Sequence, residues 1–364
     1  MKIIVAIDSL KGCLTSSEAN HAIAEGLSSE AKVVECIVSD GGEGWTEAYG
    51  KALSLGDPNH QVAINMIEAE ALDPLLRPIR TTFLQQGELA VIEIAKICGL
   101  GLLRNDERNP LRATSYGLGQ LITNAVARGC RRFIIGLGGS ATSDAGRGMV
   151  QALRDGGLLD EDYHIVCNSE LTFTIASDVT NPLYGPHGAA KVFAPQKGAD
   201  PTMVLELDKR AQQFAETNAH KMGYDCSQEA GAGAAGGVGY ALMQFLGAQC
   251  SPGAELLLET MHFDQLLADA DFVITGEGCA DRQTLMGKLP FRILQHARAA
   301  GIPCHLLAGK VEDSGELLAA GFASIHCINP PSLSMRDVLR PDVARSNLSA
   351  TALQVIMTTQ HLHK

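Results

Sequence analysis

The chain has 364 residues, enough for two domains and a substantial core, with 46% apolar residues and 5% aromatic ones. Its formal net charge of -12 argues against a nucleic-acid partner, which calls for a basic face, but leaves room for a small anionic substrate held by local Lys and Arg. The ten cysteines form no C-x-x-C pair, and Cys36, Cys98, Cys167 and Cys304 sit in apolar stretches, so they read as buried thiols of a reducing cytoplasm rather than as a disulfide framework.

Lys2–Ile7 is mostly β-branched and reads as a buried strand, too short for a signal peptide and ended by Asp8. Thr15 and Glu18 stand at capping-box distance and open a helix that runs to about Leu27. Val33–Val38 is a second strand, followed by Ser39 to Gly44 and a helix over Trp45–Leu53. Strand, helix, strand, helix is the opening of a parallel α/β sheet. The pattern then changes. Gln61–Ile67, Arg77–Leu84 and Leu89–Ile94 read as strands broken at Asp73-Pro74 and Gln86-Gly87, with links too short for crossovers and so antiparallel. This switch puts a domain boundary near residue 58, after Gly56-Asp57-Pro58.

A helix over Tyr116–Ala127 leads to the stretch Arg131–Met149, which reads as strand, glycine loop and helix start, with the helix reaching about Arg154. Thr174–Ser177 is a short strand, Gly188–Pro195 contains another strand candidate, and Pro201–Met222 is a helix with Met203, Leu205, Leu207, Ala211 and Phe214 inward. The uncharged run Ala230–Ala254 is rich in Gly and Ala and holds Gln and Ser, so it reads as the glycine loop Gly231–Gly237 and a helix over Gly239–Leu246, not a membrane span. A helix around Glu255–Leu267 precedes the return of the α/β rhythm. The strand Asp271–Ile274 has Thr275–Gly278 as its loop, and the helix Leu285–Ala300 is broken near Pro290. Then come the strand Cys304–Leu307, the helix Ser314–Ala320, the strand Ala323–Ile328 and a last helix, Asp342–His361. The first and last parts, 1–58 and 262–364, thus read as one discontinuous doubly wound domain with an α/β domain, 59–261, inserted.

Polar clusters fall after the strands, where open parallel sheets collect ligands. Asp8, Ser9 and Lys11 follow the first strand, and Asp40 and Glu43 the second. The loop after Phe133–Ile135 holds Ser140, Thr142 and Asp144, Asp178 follows Thr174–Ser177, and Glu277 and Asp281 follow Asp271–Ile274. Each has a plain reading as a turn, a cap or a first-turn acid. Carboxylates repeated beside glycine loops resemble instead a Mg²⁺ and phosphate site. Gly136–Ala141 fits the dinucleotide fingerprint G-x-G-x-x-G/A, but the acid expected at the end of the next strand is missing, since Asp160, Glu161 and Asp162 precede that strand. No glycine loop ends in Gly-Lys-Ser/Thr, so a P-loop is absent, and the histidines form no ligand set.

The motifs Asp8–Gly12, Asp40–Gly44, Gly138–Asp144, Asp178–Leu183, Pro195–Ala199, Gly231–Gly237 and Gly276–Gly278 through Asp281, Gln283-Thr284 and Gly287-Lys288, in that order, resemble the bacterial type-1 glycerate kinase family over nearly the whole chain. The resemblance implies transfer of a phosphoryl group from ATP, with Mg²⁺, to glycerate, typically giving 2-phosphoglycerate. It also implies a Rossmann-like domain with an inserted α/β domain and an active site in the interdomain cleft. The partners expected are small molecules, with no nucleic acid, no membrane and room for a homodimer. On this reading Gly138, Gly139, Ser140 and Thr142, with Gly233 and Gly236, face phosphates through backbone N–H groups. Lys11 and Lys197 clamp phosphate and the glycerate carboxylate, and Ser9, Arg112, Ser115 and Asn181 contact substrate. Mg²⁺ takes one or two carboxylates from Asp8, Asp40, Glu43, Glu277 and Asp281, and the general base is Asp178 or Asp281. Related readings are a kinase of another small hydroxy acid and a degenerate kinase fold that binds without turnover. The chain departs from the family in having Cys279 for an Arg, Ser143 for an Asn and Arg147 for a small residue, with Arg282 the nearest replacement for the missing guanidinium.

Overall fold

The computed structural model describes residues 1–57, 62–167 and 170–362. Among them eleven strands form: β1 Lys2–Ile7, β2 Lys32–Glu35, β3 Ile64–Leu72, β4 Pro78–Gln86, β5 Leu89–Glu93, β6 Arg132–Gly136, β7 Thr172–Ala176, β8 Gln249–Ser251, β9 Phe272–Ala280, β10 Cys304–Val311 and β11 Ser324–Cys327. The chain divides into two compact units. The first is Met1–Ser39, Glu47–Asn59 and Ala254–Lys364; the second is Asp40–Thr46 and His60–Gly253. The boundary expected at residue 58 lies outside the described residues, as does Gln61.

The first unit holds a parallel sheet in the order β11-β10-β9-β1-β2. Ile3, Val5 and Ile7 of β1 pack under the helices Ser16–Gly26 and Pro341–Leu362, which bring Ala19, Ile23, Leu348, Ala352 and Val355 onto them. The unbroken apolar run of β1 suits a strand covered on both faces. The expected capping box forms: the Glu18 amide donates to Thr15 Oγ1 (3.2 Å) and the Thr15 amide to Glu18 Oε2 (3.0 Å). Asn20, fully buried one turn on, pins the end of β1. Its Oδ1 accepts from the Ile7 amide (3.0 Å), and its Nδ2 donates to the carbonyls of Ile7 (3.1 Å) and Ser16 (2.7 Å). Asp8 comes next in the chain.

The second unit holds a mixed sheet in the order β3-β4-β5-β6-β7-β8, antiparallel from β3 to β5 and parallel from β5 to β8. The helices Tyr116–Ala127, Arg147–Asp155 and Ala234–Leu246, the last broken by non-helical backbone at Ala235, Gly236 and Gly237, bury Leu118, Ile122, Met149, Leu153 and Leu242 against it. Gly119 lets the first two of these helices meet, because a Cβ there would lie 2.4 Å from the Met149 carbonyl.

Several expected elements change. Gly188–Pro195 is not a strand: Ala189–Phe193 is helical, with two alanines, good helix formers, buried in its first turn. Thr275–Gly278 is not a loop but part of β9, which stays paired with β10 as far as Ala280. Gly276 permits this pairing, since a Cβ would stand 2.1 Å from the Leu307 carbonyl. The helix expected around Glu255–Leu267 is two, Gly253–Thr260 and Phe263–Leu267, parted by His262 at φ 53. Pro290 does not break a helix but sits in the first turn of Leu289–Ala299, where a missing N–H costs nothing. Leu205 faces outward, 66% exposed, and Cys167 is only half-buried. No helix among the described residues is long and apolar enough to cross a membrane.

Replacing Asn20 by Ala strands the buried Ile7 amide, and we expect a loss of about 2–3 kcal/mol in urea unfolding. A change under about 0.5 kcal/mol would show that the side chain does not hold this strand end.

Candidate functional site

Each unit carries a polar cluster. In the first unit, β1 and β9 pair Ile7 with Gly276, and the Asp8 amide donates to the Gly276 carbonyl (2.9 Å). The register therefore sets Asp8 and Glu277 as successive positions on neighbouring strands. Asp8 Oδ1 accepts from the Ser9 amide (2.7 Å), and Lys11 is exposed on the turn that Leu10 and Leu14 close. Glu277 is buried; its Oε1 accepts from Thr284 Oγ1 (2.6 Å) and its Oε2 from Lys288 Nζ (3.2 Å). Asp281 caps the turn Arg282–Met286 by accepting from the Gln283 amide (2.7 Å), and its Oδ1 lies 3.8 Å from the same Lys288 ammonium. Thr284 and Lys288 belong to a motif visible in the sequence, but nothing in that motif shows that both side chains reach Glu277. Arg282 points elsewhere: it pairs with Glu316 and lies 3.7 Å from Asp313. Cys279 faces Lys310 across β10, and burial is the first cause that pushes its thiol up.

In the second unit the segment Asp40–Thr46 is fastened by Glu93, a buried carboxylate at the end of β5. Glu93 accepts from the Gly44 amide (3.0 Å), the Thr46 amide (3.1 Å) and Thr46 Oγ1 (3.1 Å), with Lys96 Nζ 3.7 Å away. The Gly138 amide donates to the Gly41 carbonyl (2.9 Å). Asp40 and Glu43 are exposed, and Asp40 Oδ1 accepts from the Gly42 amide (3.1 Å). Glu93 reads in the sequence as part of the strand Leu89–Ile94, and nothing there marks it as an anchor.

The glycine loops of this unit touch. Gly236, at φ 67, faces the Thr142 carbonyl so closely that a Cβ would lie 2.0 Å from it, and the Ala145 amide donates to the Gly236 carbonyl (3.0 Å). The Gly233 amide donates to the Asn181 carbonyl (2.8 Å), and Asn181 Nδ2 to the His187 carbonyl (2.8 Å), which joins the Asp178 segment to the same group. Asp178 itself is exposed beyond β7. Lys197 lies under the loop, 3% exposed; its Nζ donates to Ser140 Oγ (2.9 Å) and to the Thr142 carbonyl (2.7 Å). Burial pushes the ammonium down to about 7, against the pull of Asp144.

Not all of the loop is open to a ligand. The amides of Gly138, Ala141 and Ala145 go to the carbonyls of Gly41, Cys98 and Gly236. Ser115, expected at the substrate, is buried and engaged within the protein: its Oγ donates to Asp144 Oδ2 (2.8 Å) and accepts from the Met149 amide (3.0 Å). Asp144 also accepts from the Gly146 and Gly148 amides (both 3.1 Å), and so serves the start of the helix Arg147–Asp155. Arg112 is exposed on the turn that precedes Ser115. Among the described residues no three His, Cys, Asp or Glu side chains are grouped as a ready metal site.

Fold and clusters together define an α/β protein of two sheets, with acidic groups at strand ends and interlocked glycine loops. The chain belongs to the glycerate kinase family, whose family model matches residues 3–360. It is 38% identical to the glycerate kinase of Bacillus subtilis (strain 168), with 93% of this chain and 92% of that protein covered. It is 37% identical to the glycerate 2-kinase of Escherichia coli (strain K12), with 86% of each covered. The crystal structure described as a candidate glycerate kinase 2 from Salmonella typhimurium LT2 matches at a TM-score of 0.79 and 34% identity, covering 100% of this chain and 99% of that one.

The Lys197 ammonium has a testable signature. Its folded value of about 7 lies below the ordinary 10.5, so between these limits the unfolded chain binds the extra proton. Stability from this group therefore rises with pH across that window and is lost as pH falls toward 7. In Lys197→Met the gain between pH 7.5 and 9.5 should shrink by up to about 2.5 kcal/mol in urea unfolding. Equal slopes in both proteins would mean that the ammonium is not depressed.

Proposed function

We propose that the protein transfers the γ-phosphoryl group of ATP to D-glycerate and yields 2-phosphoglycerate. The carrying observation is the family match over residues 3–360, and the name of the Escherichia coli relative favours the 2-hydroxyl. Phosphoryl transfer asks a protein chiefly for positioning and charge neutralisation. We assign the positioning of phosphates to the loop with Ser140 and Thr142, supported by Gly236 and Lys197. Lys11, an exposed cation, is assigned to an anionic group of the substrates. Asp281, held by the Gln283 amide, is assigned as the base that accepts the glycerate hydroxyl proton, with Lys288 beside it to temper its charge. Ser115 keeps Asp144 and the loop in place rather than touching substrate.

Asp8 and Glu277 would hold Mg²⁺: they supply hard oxygen donors from neighbouring strands, and this ion commonly takes only one or two carboxylates beside water and phosphate. When bound, the ion neutralises charge on the phosphate oxygens. The protein is assigned to the cytoplasm, in keeping with its unbridged cysteines.

Purified protein given ATP, Mg²⁺ and D-glycerate should release ADP, with the 2-phosphorylated product seen by phosphorus NMR. Asp281→Asn and Lys11→Ala should each lower kcat at least about 10²-fold. Full activity in both variants would overturn the assignments. Binding of ATP without ADP release from any hydroxy acid would make the chain a binding protein instead.

A further inference from the structure

A small cavity of about 70 Å³ lies within the second unit, beside the end of the Gly138–Asp144 loop. The helix Pro201–Met222 turns Leu207, Arg210 and Ala211 toward it, and Ser143, Asp144 and Arg147 complete its polar lining. Ser143 is 7% exposed, and its buried hydroxyl has no hydrogen-bond partner. A buried hydroxyl is rarely left unmatched. Arg147 is the first residue of its helix, where the macrodipole disfavours a cation. Its guanidinium lies over the Phe214 ring at 5.3 Å, one turn from Arg210 on the same helix, and no carboxylate pairs with it among the described residues. Asp144 does not fill that role, because its oxygens already accept from Ser115, Gly146 and Gly148. Arg210 gives its Nε to Glu206 (2.7 Å), and a guanidinium has four further N–H donors, about enough for a second partner.

We propose that this cavity binds one small oxyanion, a carboxylate or a phosphate, through the Arg147 guanidinium and the Ser143 hydroxyl, with Arg210 adding positive charge. The planar fork of Arg147 matches two oxygens of such an ion, and the hydroxyl supplies a third donor. The volume admits an ion of a few heavy atoms and excludes a nucleoside. The site does not rest on the transfer reaction proposed above.

The test is titration calorimetry of the full chain with sodium phosphate and, separately, sodium acetate, at constant ionic strength in chloride. Wild type should show a saturable component with Kd at or below about 10 mM for one probe or both. Saturation by phosphate alone assigns a phosphate ligand, and by acetate a carboxylate. Arg147→Ala should weaken that component at least about tenfold and Ser143→Ala several-fold, with Arg147→Lys in between. Arg154→Ala, which removes the same charge from the other end of the helix, should leave it unchanged. Circular dichroism and Tm show whether each variant is folded. Absence of binding by both probes, or wild-type affinity in Arg147→Ala, would overturn the proposal.

Discussion

The second unit is arranged around a lysine side chain whose amine has been taken out of water. Lys197 Nζ is buried, so its hydrogen bonds must be found inside the protein, and it finds them in Ser140 Oγ and the Thr142 carbonyl. The same carbonyl is the surface against which Gly236 packs without room for a Cβ. One main-chain oxygen thus ties the short turn Pro195–Lys197 to two glycine loops. Asp144 fixes the far end of the first loop, with four close donors from Ser115, Gly146 and Gly148. A loop held at both ends by buried polar groups is pre-organised, which is what a site that works by position requires.

A buried carboxylate decides where a piece of chain belongs. By sequence order Asp40–Gly44 follows β2 and should sit with the parallel sheet. Glu93 draws it instead to the mixed sheet, because a carboxylate buried at the end of β5 needs partners and the amides of Gly44 and Thr46 provide them. The approach is so close that Gly41 and Gly138 admit no side chain: a Cβ on Gly41 would lie 2.3 Å from the Ala176 carbonyl, and one on Gly138 2.4 Å from Gly42 Cα. The glycines of these motifs therefore have a packing reason as well as any ligand reason.

Strands and helices with strong local signals were legible in the sequence. Lys2–Ile7, Tyr116–Ala127, Pro201–Met222 and Ser314–Ala320 follow from apolar period, caps and breakers, and the capping box at Thr15 follows from spacing alone. The errors fall where a tertiary contact overrides a local sign. Glycines at 276 and 278 signal a loop, yet both lie within β9, and Gly276 lets that strand lie against β10. Asp178, Asp281 and Lys197 could be named as polar residues beside glycine turns, but their surroundings could not. Nothing in Pro195-Gln196-Lys197 shows that the lysine turns inward, and nothing in Leu89–Glu93 shows that Glu93 will hold a segment some fifty residues earlier in the chain. Such facts belong to pairings distant in sequence, which periodicity does not report.

The surroundings of Cys279 show how positive charge is placed at the end of β9. Arg282 is the nearest cation in sequence, but it leans away to Glu316 and Asp313 at the surface. Lys310, directly across β10 from Cys279, pairs with Glu312. The cation that stands among the carboxylates is Lys288, bonded to Glu277 and 3.8 Å from Asp281. It reaches them because the turn Arg282–Met286, capped by Asp281 and closed by Gly287 at φ 96, folds the chain back on the end of β9. An ammonium on a flexible stem differs from a guanidinium there: it acts as a compact charge with rotatable donors and imposes no planar fork. The positive charge at this end of the sheet is therefore adaptable in geometry, whereas the acids around it are fixed by Thr284 and Gln283.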